Sequence, residues 1–92
     1  MTTCVVQVDQ PVQIGQSLRV TVTDIDPAGV RLRVRGRVIG GPEDGSSIDA
    51  AYELGTGKSI NVGPHVAISL AEIDGRDAVL KVFAPPNMSV TR

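Results

Sequence analysis

The chain repeats itself. A shift of 48 positions, the separation of Gly15 and Gly63, lays the first half on the second without a gap. Val12-Gln13-Ile14-Gly15 falls on Ile60-Asn61-Val62-Gly63, and Leu18-Arg19-Val20-Thr21-Val22 on Val66-Ala67-Ile68-Ser69-Leu70. Ile25-Asp26 falls on Ile73-Asp74, and Leu32-Arg33-Val34 on Leu80-Lys81-Val82. Apolar positions meet apolar positions and turns meet turns. An internal repeat constrains the fold before any single element does. Here it implies one small β unit used twice, a single-chain version of a symmetric dimer. The competing reading is two antiparallel meanders that are alike by chance.

With 92 residues in all, each half is near the size below which a core is hard to bury, so the halves are expected to share one. Hydrophobic residues make up 41% of the chain, too many for disorder, and aromatics only 2%. The core must therefore rest on Val, Ile and Leu. With Tyr52 and Phe83 the only Phe, Tyr or Trp residues, the composition also argues against a platform for stacking bases.

The expected elements are strands. Leu18, Val20 and Val22 alternate with Arg19, Thr21 and Thr23, which gives one apolar face at period two. Asp26-Pro27-Ala28-Gly29 is a turn, after which Val30, Leu32 and Val34 resume the apolar face. Val66, Ile68 and Leu70, the turn Asp74-Gly75-Arg76-Asp77, and Ala78, Leu80 and Val82 repeat the hairpin. Shorter strands are expected at Thr3–Val8 and Ala50–Leu54. The latter lies in Ser47–Leu54, a run that also reads as a short helix with a serine cap. Gly40 to Ser47 is rich in breakers and reads as a flexible link between the halves.

Little in the sequence points to catalysis. His65 is the only histidine; it follows Pro64 at a strand start, an exposed turn position, and no nucleophile–base set forms around it. Gly57-Lys58-Ser59 lacks the glycine five positions earlier that a phosphate loop needs, since Tyr52 stands there. The single Cys4 excludes an intrachain disulfide and a cysteine-built zinc site, and it is expected to pack as a small hydrophobe. No enzyme activity, cofactor or metal is expected. No segment is long and apolar enough to span a bilayer, and the start of the chain lacks the pattern of a secretory signal, so a cytoplasmic protein is expected.

Net charge is −1, so any nucleic-acid site must be a local patch. The patch the sequence offers is Arg31, Arg33 and Arg35, which alternate onto one strand face, with Arg37 continuing it. They form either a stripe for a phosphate backbone or a solvated face paired with Asp24, Asp26 and Glu72 on neighbouring strands.

Gly57-Lys58-Ser59-Ile60-Asn61-Val62-Gly63 resembles the Gly-Glu-Ser-Leu-x-Ile-Gly segment of the carbon storage regulator family (CsrA/RsmA). Ala84-Pro85-Pro86-Asn87-Met88-Ser89-Val90-Thr91-Arg92 is similar to that family's Ala-Pro-Lys-Glu-Val-Ala-Val-His-Arg ending. The likeness covers Asp49 to Arg92. In the first half it is looser and dissolves after Gly36. It implies an all-β fold of two CsrA-like repeats forming a single-chain pseudo-dimer, with residues 1–44 as the first repeat, 45–48 as a link and 49–92 as the second. It also implies a bacterial RNA-binding regulator of translation that reads a GGA-containing loop, as a monomeric pseudo-dimer or a strand-swapped homodimer.

In that family each RNA site joins the first strand of one subunit to the last strand of the other. Carried over, one site joins Thr2–Gln7 to Val90–Arg92. Arg92, at the family's terminal-strand arginine, contacts RNA beside Val90 and Thr91, with Thr3, Val5 and Gln7 on the first strand. Arg31, Arg33 and Arg35 add phosphate contacts if they face the same side. The other site joins Ala50–Leu54 to Gly40–Asp44. There Asp44 replaces the arginine, and Glu43 and Glu53 add acid, so at most one competent site is expected. The alternative is an RNA-incompetent relative that binds a protein partner by strand addition.

Overall fold

A computed structural model describes residues 1–92. It holds nine strands and no helix: β1 (Thr2–Val6), β2 (Pro11–Ile14), β3 (Leu18–Asp26), β4 (Gly29–Arg37), β5 (Ser47–Gly55), β6 (Ser59–Val62), β7 (Val66–Asp74), β8 (Asp77–Phe83) and β9 (Val90–Thr91). The helical reading of Ser47–Leu54 is overturned. This run alternates half-buried Ile48, Ala50 and Tyr52 with exposed Asp49, Ala51 and Glu53, and the period of two wins. β5 also begins earlier than the Ala50 start expected, so Ser47 and Ile48 of the 45–48 link belong to the sheet.

All strand pairs are antiparallel, and they form a four-stranded sheet in the order β1-β8-β7-β6 and a five-stranded sheet in the order β5-β4-β3-β2-β9. The order shows an exchange. β1 leaves its own half to pair with β8, Thr2 opposite Val82 and Val6 opposite Ala78. β5 leaves the second half to pair with β4, Gly29 opposite Gly55 and Arg37 opposite Ser47. β9 crosses as well, onto β2.

The 48-residue offset holds in the hydrogen bonding. β3 interrupts its register with β4 between Val22 and Asp24, and β7 interrupts its register with β8 between Leu70 and Glu72. Each interruption increases the local twist. Asp9 N–H donates to Val22 O at 2.8 Å, and Gly57 N–H to Leu70 O at 2.8 Å. Asp9 and Gly57 both take positive φ, 68° and 82°; a short Asp side chain tolerates that conformation at a turn.

The inward faces of both sheets meet in one cluster of 18 buried apolar residues. Every inward residue expected on the two hairpins is in it, from Leu18, Val20 and Val22 to Ala78, Leu80 and Val82. Each such Val, Leu or Ile side chain adds about 1.5–3 kcal/mol on burial. Cys4 is buried with them.

Candidate nucleic-acid interface

Pro85 and Pro86 end β8, because neither can donate to a ladder, and the chain turns there from one sheet to the other. Met88 N–H closes that turn on Pro85 O at 2.9 Å, and the Met88 side chain covers Gly15. Gly15 N–H then donates to Ser89 O at 2.7 Å, and β9 follows on β2 with Val90 opposite Ile14 and Thr91 opposite Gln13. Val90 packs half-buried on the core, and Thr91 faces out.

Arg92 turns across the seam between the sheets, where its Nη1 donates to the Val5 carbonyl at 2.5 Å. The first and last strands are thereby brought together at one edge. Burial pushes the Cys4 thiol up, and the nearby Arg92 charge pulls against it. No carboxylate pairs with Arg92. Thr3 and Val5 expose their side chains on the outer face of β1, opposite Lys81 and Val79. Gln7 is a correction: β1 stops at Val6, and Gln7 lies in the following turn, bonded from Nε2 to Asp77 Oδ1 at 2.9 Å. The backbone leaves the strand there to reach the positive φ of Asp9.

Arg31, Arg33 and Arg35 project from the outer face of the five-stranded sheet. Cross-strand rows extend this face: Asp49, Arg35, Arg19, Gln13 and Thr91 stand side by side on β5, β4, β3, β2 and β9. The Arg series therefore shares a face with Thr91, while Arg92 points to the seam. The expected partners Asp24, Asp26 and Glu72 are not the ones used. β5, exchanged in beside β4, supplies Asp49 and Glu53 instead. Arg33 grips Asp49 with two bonds, 2.7 and 2.9 Å, Arg35 approaches the same carboxylate at 3.8 Å, and Arg31 meets Glu53 at 3.1 Å. Asp26 is engaged in its own turn, accepting from the N–H groups of Ala28 and Gly29. Arg19, which the sequence reading passed over, lies opposite Arg35 and touches only Gln13 Oε1, at 3.4 Å. Two arginines directly opposed repel each other. Their β3–β4 register was the available signal.

The hydrogen bond from Arg33 holds the Asp49 carboxyl below its usual range, and the charges of Arg33 and Arg35 add to the effect. Any stability from Asp49 is therefore present above its unfolded pKa of about 3.9 and lost as pH falls through the lower folded value. Asp49→Asn is expected to elute from heparin at higher salt than the parent near neutral pH, because it frees two arginines. The melting temperatures of the two proteins should converge in acid. Equal heparin elution would mean that this face does not engage polyanions.

The second pairing, Ala50–Leu54 with Gly40–Asp44, does not form. Val38 to Ser46 folds back as a tight connection between β4 and β5, with Gly45 N–H on Val38 O at 2.9 Å and Val38 N–H on Ser46 O at 2.9 Å. Asp44 Oδ1 accepts from Gly40 N–H at 2.6 Å, which folds the carboxylate inward where the first site presents Arg92. The stretch read as a flexible link is a hydrogen-bonded turn, with Asp44 N–H on Gly41 O at 3.2 Å and Ser46 N–H on Glu43 O at 2.9 Å. His65 is exposed in the β6–β7 turn, with its ring against Gly40. No helix is long and apolar enough to cross a membrane. No family model matches the chain, and no curated protein or solved structure matches it either.

Proposed function

We propose that this chain is an RNA-binding regulator of translation of the carbon storage regulator type, folded as a single-chain pseudo-dimer with one RNA site. The observation that supports it is the meeting of the exchanged first and last strands, where Arg92 reaches the Val5 carbonyl. That is the strand juxtaposition the resemblance implies. It leaves a guanidinium with free donors and no carboxylate partner at an open edge. Arg92 reads the RNA loop there, Val90 and Thr91 and the backbone of β1 at Thr3 and Val5 shape the site, and the neighbouring Arg face engages the flanking phosphates. The other edge carries Glu43 and Asp44 in a turn and repels a phosphate backbone. The chain can supply both partners of every exchanged pair by itself, which supports a monomeric pseudo-dimer over a strand-swapped homodimer.

The test is binding to a hairpin with a GGA-containing loop against a loop-scrambled control at fixed salt. The expected result is one RNA per chain, loop-dependent, with Arg92→Ala weakening binding about 10- to 100-fold, the worth of one or two hydrogen bonds from a charged group. The variant should melt close to the parent, since an exposed terminal contact adds little stability. Equal affinity for both loops, or two equivalent RNA molecules per chain, would refute the reading.

A further inference from the structure

The five-stranded sheet has at one edge what the four-stranded sheet lacks. β9 lies along β2, whereas β6, which stands 48 residues after β2, has no strand on its outer side. Backbone groups alternate along a strand. Gly15 N–H points to β9, and so do the groups of Gln13. By the same alternation Gly63 and Asn61 point to the open edge of β6. No backbone hydrogen bond joins either of them to the Val38–Ser46 turn. Beside this edge runs a groove of about 400 Å³ walled by Val38, Pro42, Ile48, Tyr52, Val62 and Pro64. Glu43 also lines it and has no cationic partner.

We infer that this groove accepts an extended strand from another protein, one that carries an apolar residue and, two positions on, an arginine or lysine. The chain itself provides the pattern. On β2 the same place is filled by Val90-Thr91-Arg92, with Val90 seated on the core and Arg92 bonded to the Val5 carbonyl. The residue 48 positions after Val5 is Glu53, whose carboxylate is already held by Arg31; by the repeat an incoming basic side chain meets the Glu53 backbone carbonyl, and the unpaired Glu43 on the turn supplies the opposite charge. The apolar wall takes the apolar side chain, and the outward N–H and C=O groups of Asn61 supply the ladder, beside Val38 and Ile39, which lie against Gly63. A second copy is a poorer occupant, since each copy already holds its own β9 on β2. The inference concerns the opposite edge from the RNA site and does not rest on the RNA reading.

The probe is a capped synthetic peptide Asn-Met-Ser-Val-Thr-Arg, titrated into the intact ¹⁵N-labelled chain. Amide shifts are expected at Ser59–Gly63 and Tyr52, with slowed hydrogen exchange at Asn61 and Gly63. Replacing the peptide valine by aspartate should weaken binding at least about tenfold, because a charge enters an apolar site. Glu43→Lys should weaken it several-fold. The inference is overturned if millimolar peptide perturbs none of these amides. It is equally overturned if the shifts are confined to Pro11–Ile14, which would mean that the peptide displaces β9. Concentration-dependent dimerisation through β6 without peptide would give the groove to a second copy and overturn the assignment to a different protein.

Discussion

Cutting the chain between Gly45 and Ser46 is expected to leave two fragments that are unfolded apart and regain the fold when mixed. The cut falls in an exposed turn, so the scission itself removes little. The loss comes from the exchange. Fragment 1–45 keeps β1 but not β8, and β4 but not β5. Fragment 46–92 loses β4, the whole partner of β5, and β2, the partner of β9. The fragments would expose ten and eight of the 18 residues of the shared cluster, and each is near the size at which a chain cannot bury enough surface to fold alone. Circular dichroism of each fragment and of the mixture checks this. A cooperative melt from either fragment alone would show that the halves are independent units.

The second large effect is at Gly36. It lies on β4 with φ at +131°, and an added Cβ would stand 1.9 Å from the Ser17 carbonyl oxygen. That oxygen accepts from Arg37 N–H at 2.8 Å and is held in place. Gly36→Ala is expected to cost about 3 kcal/mol or more, combining backbone strain with a clash against main chain. In a domain of this size that lowers the melting temperature by roughly 12–24 °C. Gly45→Ala separates the two causes. Gly45 also has positive φ, +82°, but nothing lies within 4 Å of its Cβ position. It should lose only the roughly 1–2 kcal/mol of conformational strain. Similar losses at the two positions would show that the Ser17 contact is easily relieved.

Both hairpins and their inward residues were legible in the sequence, because strict alternation with a Val, Ile and Leu core leaves one assignment open. β5 was less so: Ala50, Ala51, Glu53 and Leu54 favour a helix by propensity, which the period of two and the ladder against β4 outweigh. The ion pairs of the Arg face were misassigned for the same reason. A sequence shows that acids are present but not which strand lies beside which, and Asp49 and Glu53 became neighbours only through the exchange. At the candidate site, Arg92 was singled out through resemblance, and its partner, the Val5 backbone, has no side-chain signature. The turn at Gln7 was missed because Asp9 is permissive of positive φ without requiring it, and no glycine in Gln7-Val8-Asp9-Gln10 marks the place. Arg19 was passed over because its importance comes from standing opposite Arg35.

The pairing of β1 with β8 also sets a timetable. Thr2 finds its partner in Val82, so β1 leaves the ribosome well before the strand it pairs with. At about 5–20 residues per second that wait lasts several seconds. During it the β1 edge and the apolar side chains of Cys4 and Val6 stay uncovered. On a message translated by several ribosomes, the β8 of a leading chain is available before a trailing chain has made its own. Intermolecular pairing, or a chaperone that shields β1, then competes with correct closure. Slowing translation of the second half should lower the yield of folded protein without altering the fold of what is recovered.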